Sequence, residues 1–277
     1  MRRIDSRANA HYKALKRLAA SGRERRRQGL LLLDGMHLIE AYGKHCGPPE
    51  EIVVSASGAE RLEIARYLVA AGSTVTLLAE PLFAELALVD TPSGIMAVVR
   101  WPQPVRAIDY EADTVLLDGL QDPGNVGSIL RSAAAAGFRQ ILLSPDCAQV
   151  WSPKTLRAAM GTHFQLALHE GRDLPAFLDA YRGQAVATSL MGSESLYSAP
   201  LEGSLAWVFG SEGQGVRSTV LAATRQRLYI PMPGATESLN VAAAAAICLF
   251  ETVRRRQLPG PPAAWRATAD HEPQADG

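Results

Sequence analysis

Cysteine is scarce: Cys46, Cys147 and Cys248 are the only three in 277 residues, an odd number at wide spacing. That excludes a disulfide framework and a cysteine-rich zinc site, and it fits a reducing compartment, the cytoplasm. No apolar run approaches the ~18 residues of a membrane-spanning helix, so no membrane partner is expected. The opening stretch MRRIDSRANAHYK has no apolar segment, so no secretion signal is expected either. The six histidines, at 11, 37, 45, 163, 169 and 271, form no close pair of the HExxH kind, and no metal is expected. There is no internal repeat. With 47% hydrophobic and 20% charged residues the chain has a globular composition, which excludes bulk disorder.

Net charge is also missing, since 28 basic residues balance 28 acidic ones. The balance hides an asymmetry. Residues 1–27 hold ten Lys or Arg against Asp5 and Glu24, a local charge of +8, and the remainder carries −8. Such a basic segment is ordinarily a solvated helix face.

Two composition breaks divide the chain. Arg100-Trp-Pro-Gln-Pro104 reads as a linker, and Leu258-Pro-Gly-Pro-Pro262 opens a polar tail. The expected organisation is a domain over 1–100, a linker over 101–112, a domain over 113–257 and a disordered tail over 258–277. Short apolar runs predict strands at 29–33, 52–55, 74–78 and 94–99, then at 114–117, 140–143, 185–189, 206–209 and 227–230. Helical patterns fit 36–44, 59–70, 126–136, 153–160, 174–181 and 239–256. Alternation of this kind predicts two α/β domains with parallel sheets.

Three segments of the second domain are rich in residues that packing does not demand. In the first, Leu117-Asp-Gly-Leu-Gln-Asp-Pro-Gly-Asn-Val-Gly-Ser-Ile-Leu-Arg131, a strand ends at Asp118 and a helix opens near Asn125. Loop chemistry alone accounts for it as a turn with a capping Asn and a solvated Arg. The loop fits neither GxxxxGK[ST] nor GxGxxG, which disfavours a nucleotide P-loop and an ordinary Rossmann fingerprint. The second segment is Phe209-Gly-Ser-Glu-Gly-Gln-Gly215. Its glycines let backbone approach something flat or bulky, and Glu212 alone reads as a solvated carboxylate. In the third, Ile230-Pro-Met through Glu237-Ser-Leu-Asn-Val241, two prolines and a glycine hold an extended loop. Ser238 or a neighbour then caps a long helix that begins with alanines. The alanine runs 132–136 and 242–246 call for close neighbours, and a subunit interface is one candidate.

Together these segments resemble the motifs of the SpoU/TrmH family of AdoMet-dependent RNA ribose 2′-O-methyltransferases, of the SPOUT superfamily. Ser152-Pro-Lys-Thr-Leu-Arg-Ala-Ala-Met-Gly161 is similar to the family's segment between its first two motifs. The resemblance covers about residues 110–255. It implies a trefoil-knotted α/β methyltransferase domain, with S-adenosyl-L-methionine (AdoMet) as cofactor and a homodimer as assembly. Carried over position by position, the catalytic candidates are Asn125, Arg131, Glu212, Ser238 and Asn240. The implied cofactor contacts are Ser189, Leu190, Gly210, Glu212, Gly215, Ile230, Met232, Ser238 and Leu239. Residues 9–18, the Arg23–Arg27 cluster and residues 31–36 resemble the small substrate-binding α/β domain of rRNA-directed members. In that setting Lys13, Lys16, Arg17, Arg23, Arg25, Arg26 and Arg27 are expected to contact RNA. Two alternatives stand beside rRNA methylation: a tRNA ribose methyltransferase, and a catalytically silent RNA-binding assembly factor on the same fold. Intact Asn125, Arg131 and Ser238 weigh against the silent factor.

Overall fold

The computed structural model of the protein describes residues 1–87, 92–102, 106–189, 194–235 and 238–256. The expected tail, part of the expected linker and Leu190 lie outside the described residues.

The N-terminal part runs β1 (Arg2–Ile4), α1 (Ala10–Ala20), α2 (Gly22–Gln28), β2 (Leu30–Asp34), α3 (Met36–Cys46), β3 (Glu51–Ser55), α4 (Ala56–Glu60), α5 (Leu62–Ala70), β4 (Thr74–Leu78), α6 (Glu80–Leu86) and β5 (Ile95–Arg100). Asn9 caps α1 by accepting from the His11 and Tyr12 amides at 2.9 and 3.3 Å. Tyr12, Leu15 and Leu18 then recur on one face and pack with Leu32, Val53 and Phe83. Strand order is β1-β4-β3-β5-β2, and β5 runs antiparallel to both neighbours. The sheet is therefore mixed, where alternation predicted parallel. An apolar run reads the same in either direction, so strand polarity has no local signal. The helix expected over 59–70 is two helices, broken at Arg61, which is extended at φ −71° and ψ 127°.

The C-terminal part runs β6 (Thr114–Asp118), α7 (Pro123–Ala135), β7 (Gln140–Leu143), α8 (Pro153–Ala158), β8 (Ala167–His169), α9 (Leu174–Ala180), β9 (Gln184–Thr188), β10 (Glu194–Ser195), β11 (Leu205–Gly210), α10 (Ser218–Ala223), β12 (Gln226–Tyr229) and α11 (Val241–Arg255). Among the described residues this sheet is wholly parallel, in the order β10-β12-β9-β11-β6-β7-β8. Central β6 and β11 are buried at every position, as expected of strands covered on both faces. Trp207 on β11 is fully buried, and its indole donates to Thr252 of α11 at 3.1 Å. Because neighbouring strands are parallel, the loops leaving β6, β9, β11 and β12 all emerge at one edge. Ligands bind at that edge in open α/β sheets.

The two sheets share one apolar core. Tyr42 of α3 meets Phe164 edge-on at 5.3 Å, and Trp101 lies 5.8 Å from Trp151. His37 donates to the Met160 carbonyl at 3.1 Å. Met160, expected inside a helix, instead follows the end of α8 at φ 51°, a left-handed conformation rare outside glycine. Most of this alanine run is spent inside the chain: Ala133, Ala134 and the capping Ala136 are buried, Ala135 is exposed, and α7 packs against α11 and α8.

His163 sits in this shared core. Its Nε2 lies 2.8 Å from the Val150 carbonyl, which can only accept, so Nε2 carries the proton and Nδ1 is bare and unpartnered. Burial holds its pKa down to about 4. The unfolded chain takes up this proton near pH 6.5, before the folded chain does, so stability present above pH 6.5 is lost on acidification. His169, lowered by burial and by Arg172, adds in the same direction. We expect unfolding free energy to fall by roughly 1.5 kcal/mol between pH 6.5 and 5 on account of His163. Denaturant melts across that range should show a flatter acid limb for His163→Gln.

Candidate active site

The first loop leaves β6 at Asp118. Asp122, rather than Asn125, caps α7, and its Oδ1 accepts the Asn125 amide at 2.8 Å. Pro123 fills the first helical position, where a missing N–H costs nothing. Asn125 is thereby freed to use its side chain elsewhere. Two residues further on, Gly127 lets α7 lie on α8: a Cβ there would come within 2.8 Å of the Thr155 carbonyl oxygen and 2.9 Å of the Ala159 nitrogen.

The second loop leaves β11 and folds straight back. The Gly215 amide donates to the Ser211 carbonyl at 2.8 Å, and Gly215 adopts φ 68°. A Cβ on Gly210 would overlap the backbone of Gly215 and Val216. The close neighbour that demands this glycine is the chain itself, not a bound molecule.

The third loop ends in α11, capped by Asn240 rather than Ser238. Asn240 Oδ1 accepts the Ala242 and Ala243 amides at 2.9 and 3.3 Å. Its Nδ2 must then be the outward donor, and it donates to Asn125 Oδ1 at 3.0 Å. That leaves Asn125 Nδ2 to face an acceptor, the Glu212 carboxylate, to which it donates. Each amide orientation is fixed by the next, from the mouth of α11 through α7 to the second loop. One residue from each of the three motifs is joined in a single chain of hydrogen bonds.

Beside it lies a cavity of about 370 Å³, of the size that takes small ligands. Every described cofactor candidate lines it: Ser189, Gly210, Glu212, Gly215, Ile230, Met232, Ser238 and Leu239. Thr188, Gln214, Val216 and Tyr229 also line it, and the sequence reading did not single them out. Arg131 stands apart. It is exposed on α7, lies off the cavity wall, and makes no hydrogen bond or ion pair among the described residues.

Sequence reading also missed Asp118 and Arg217. The Asp118 carboxylate is buried at the end of β6, accepting from the Arg217 amide at 2.8 Å and its Nε at 2.7 Å. That hydrogen bond raises the Arg217 pKa. The pair staples the exit of the second loop to the start of the first. Asp118 stands at a strand end and Arg217 just past the Gly-rich loop, and nothing in their local sequence joins them.

The basic N-terminal segment needs one correction. Arg25 is buried, only 7% exposed, and its guanidinium donates to the Leu18 and Ala19 carbonyls at 2.9 Å. It clamps α2 to α1 and is not available to RNA. In a seven-residue helix carrying Arg25-Arg-Arg27, one face has to turn inward. Lys16 pairs with Glu85 at 2.8 Å and Arg27 with Glu24 at 2.6 Å, and Arg26 reaches Glu170 at 3.6 Å. Lys13, Arg17 and Arg23 are exposed and make no such pair among the described residues.

The sequence pattern of the SpoU rRNA Methylase family matches residues 113–250, and that of the MRM3-like substrate binding domain matches residues 9–97. The chain is 34% identical over 253 residues to the Bacillus subtilis 23S rRNA (guanosine(2553)-2′-O)-methyltransferase RlmP, covering 90% of this chain and 98% of that one. The chain belongs to the SpoU RNA methylase family. Another relative, the Bordetella pertussis 23S rRNA (guanosine-2′-O-)-methyltransferase RlmB, is 32% identical over 82% of this chain and 98% of its own. Among solved structures, an RNA 2′-O ribose methyltransferase superposes with a TM-score of 0.81 at 29% identity, covering 92% of this chain and all of its own. The SpoU methyltransferase AviRb of Streptomyces viridochromogenes, solved with AdoMet, gives 0.80 at 26% identity over 91% of this chain and all of its own. AdoMet is the cofactor of SpoU methyltransferases. The cavity fits such a group: apolar Val216, Leu228, Ile230 and Leu239 suit an adenine face, and the polar backbone of 210–215 offers hydrogen bonds at its rim.

Proposed function

We propose that the protein transfers a methyl group from AdoMet to a ribose 2′-hydroxyl of structured RNA, specifically rRNA. The observation that carries this is a cavity walled by the second and third motif loops, with Asn125 of the first motif hydrogen-bonded to Glu212 and Asn240 beside it. The rRNA assignment is supported by relatives that span both parts of the chain and are named as 23S rRNA methyltransferases.

Bound AdoMet supplies a methyl made electrophilic by its sulfonium, so no metal is required. The cavity residues hold the donor, and catalysis is chiefly alignment of the attacking oxygen with the methyl. Asn125 and Asn240 hold Glu212 and the mouth of α11 in register. Arginine side chains stay protonated and present a planar fork. Arg131 therefore serves as an anchor for the adjacent phosphate and a stabiliser of the developing alkoxide, rather than as a base. Ser238 lines the cavity.

The proposal includes the division into an RNA-binding domain over 1–100 and a methyltransferase domain over 113–257, threaded as a trefoil knot, working in the cytoplasm where ribosomes are made. It also includes a homodimer. Supporting the dimer, α11 presents exposed Ala243 and Phe250 with half-buried Ala246 and Ile247 on one outer face. Sedimentation at micromolar concentration should give twice the chain mass. The function itself is tested by mapping 2′-O-methyl sites in rRNA and tRNA from a deletion strain. Loss of one rRNA site, restored by adding the protein and AdoMet to the purified RNA, is the expected result. Loss confined to tRNA would replace rRNA as the substrate.

A further inference from the structure

Of the seven N-terminal cations expected to grip RNA, Lys16, Arg25, Arg26 and Arg27 are engaged within the chain and Lys13, Arg17 and Arg23 are exposed without such a pair among the described residues; further exposed cations lie beside the candidate active site. Lys154 and Arg157 lie on α8, one turn apart, both exposed. The Arg157 side chain makes no hydrogen bond or ion pair among the described residues. Lys154, with its side chain 70% exposed, reaches only the Asp122 carboxylate at 3.6 Å. Asp122 is the cap of α7 and also holds the Asn125 amide, so Lys154 stands directly beside the candidate active site.

Close contacts fix α8 both along its length and beyond its C-terminal end. Gly127 of α7 packs against Thr155 and Ala159. At the other end, the Met160 carbonyl accepts from His37, and a Cβ on Gly161 would come 2.7 Å from Ala41 of α3. This short helix thus bridges the N-terminal part and the helix that carries Arg131. Side chains three apart on a helix are neighbours at about 5–6 Å, so the two cations form one ridge.

We propose that α8 is an RNA-contact ridge, with Lys154 and Arg157 holding backbone phosphates next to the nucleotide presented to Arg131. The ridge rests on the RNA methyltransferase reading, and it adds residues that the three motifs do not contain. Among the described residues the Arg157 side chain has no acidic partner and Lys154 has one only at 3.6 Å, so both can take a phosphate, the complementary partner. Neither residue lines the cofactor cavity.

The test uses the full chain and 23S rRNA purified from a strain lacking the enzyme. For Lys154→Ala/Arg157→Ala, the slope of log binding constant against log salt should shrink by about 1.4–1.8, the loss of two phosphate contacts. KM for rRNA should rise at least tenfold at physiological salt, with AdoMet affinity and melting temperature unchanged. The charge-keeping variant Lys154→Arg/Arg157→Lys should restore the slope. An unchanged slope in the alanine variant, or no recovery with the swapped charges, overturns the ridge. Should wild-type protein methylate none of this RNA, the proposed reaction fails, while the salt slope still decides the ridge.

Discussion

Arg131→Ala is expected to lower the single-turnover methyl-transfer rate by about 10²–10³ at saturating RNA, with AdoMet affinity and fold intact. The magnitude follows from removing one preorganised charged donor at a developing oxyanion, about 2.7–4 kcal/mol. The selectivity follows from geometry. Arg131 is exposed, bonds to nothing among the described residues and is absent from the cavity wall, so its loss removes no packing and no cofactor contact. Alanine is also a good helix residue, so α7 itself should not suffer. Arg131→Lys keeps the charge but loses the fork, and should recover only a small part of the rate. Near wild-type chemistry in the alanine variant would move the role to Glu212, Ser238 or Asn240. A fall in AdoMet affinity would instead show Arg131 to be part of the cofactor site.

The site was legible in the sequence where its chemistry is carried by residues with few other uses. Asp122-Pro-Gly-Asn125 and Gly210 to Gly215 are poor strand and helix material, so their presence at element ends marked them. Their partners were less legible. The order in which Asn240, Asn125 and Glu212 bond depends on which residue caps each helix: Asp122 took the cap that loop chemistry gave to Asn125, and for the last helix, where the pattern offered Ser238 or a neighbour, the cap is Asn240. Asp118 and Arg217 are 99 residues apart, and only the adjacency of β6 and β11 brings them together. In the fold, three-residue β1 and β8 are too short to show alternation, and the antiparallel course of β5 is a property of topology. Arg25 illustrates the limit of charge counting: a basic cluster states how many cations exist, whereas burial decides which ones face solvent.

Gly210→Ala should disable the site by a different route, through the chain's own backbone. The added methyl would overlap the Gly215 carbonyl carbon and the Val216 nitrogen, neither of which belongs to a flexible side chain. Overpacking of this kind costs typically 1–3 kcal/mol. At ~2–4 °C per kcal/mol for a chain of this size, the melting temperature should drop by about 2–12 °C. Relief comes only by moving residues 211–216, and all six of them line the cavity. Glu212 would move with them, away from Asn125. AdoMet affinity is therefore expected to fall at least tenfold, and turnover to fall further than affinity alone explains. Gly213→Ala is the internal control. Nothing lies within 4 Å of a Cβ at that position, so stability should change by less than about 0.5 kcal/mol. Calorimetric titration with AdoMet, run beside thermal melts of both variants, separates the two effects. If Gly210→Ala melts early yet binds AdoMet as wild type does, the 211–216 loop is a structural turn, and the cofactor wall must be sought in the loops after β9 and β12.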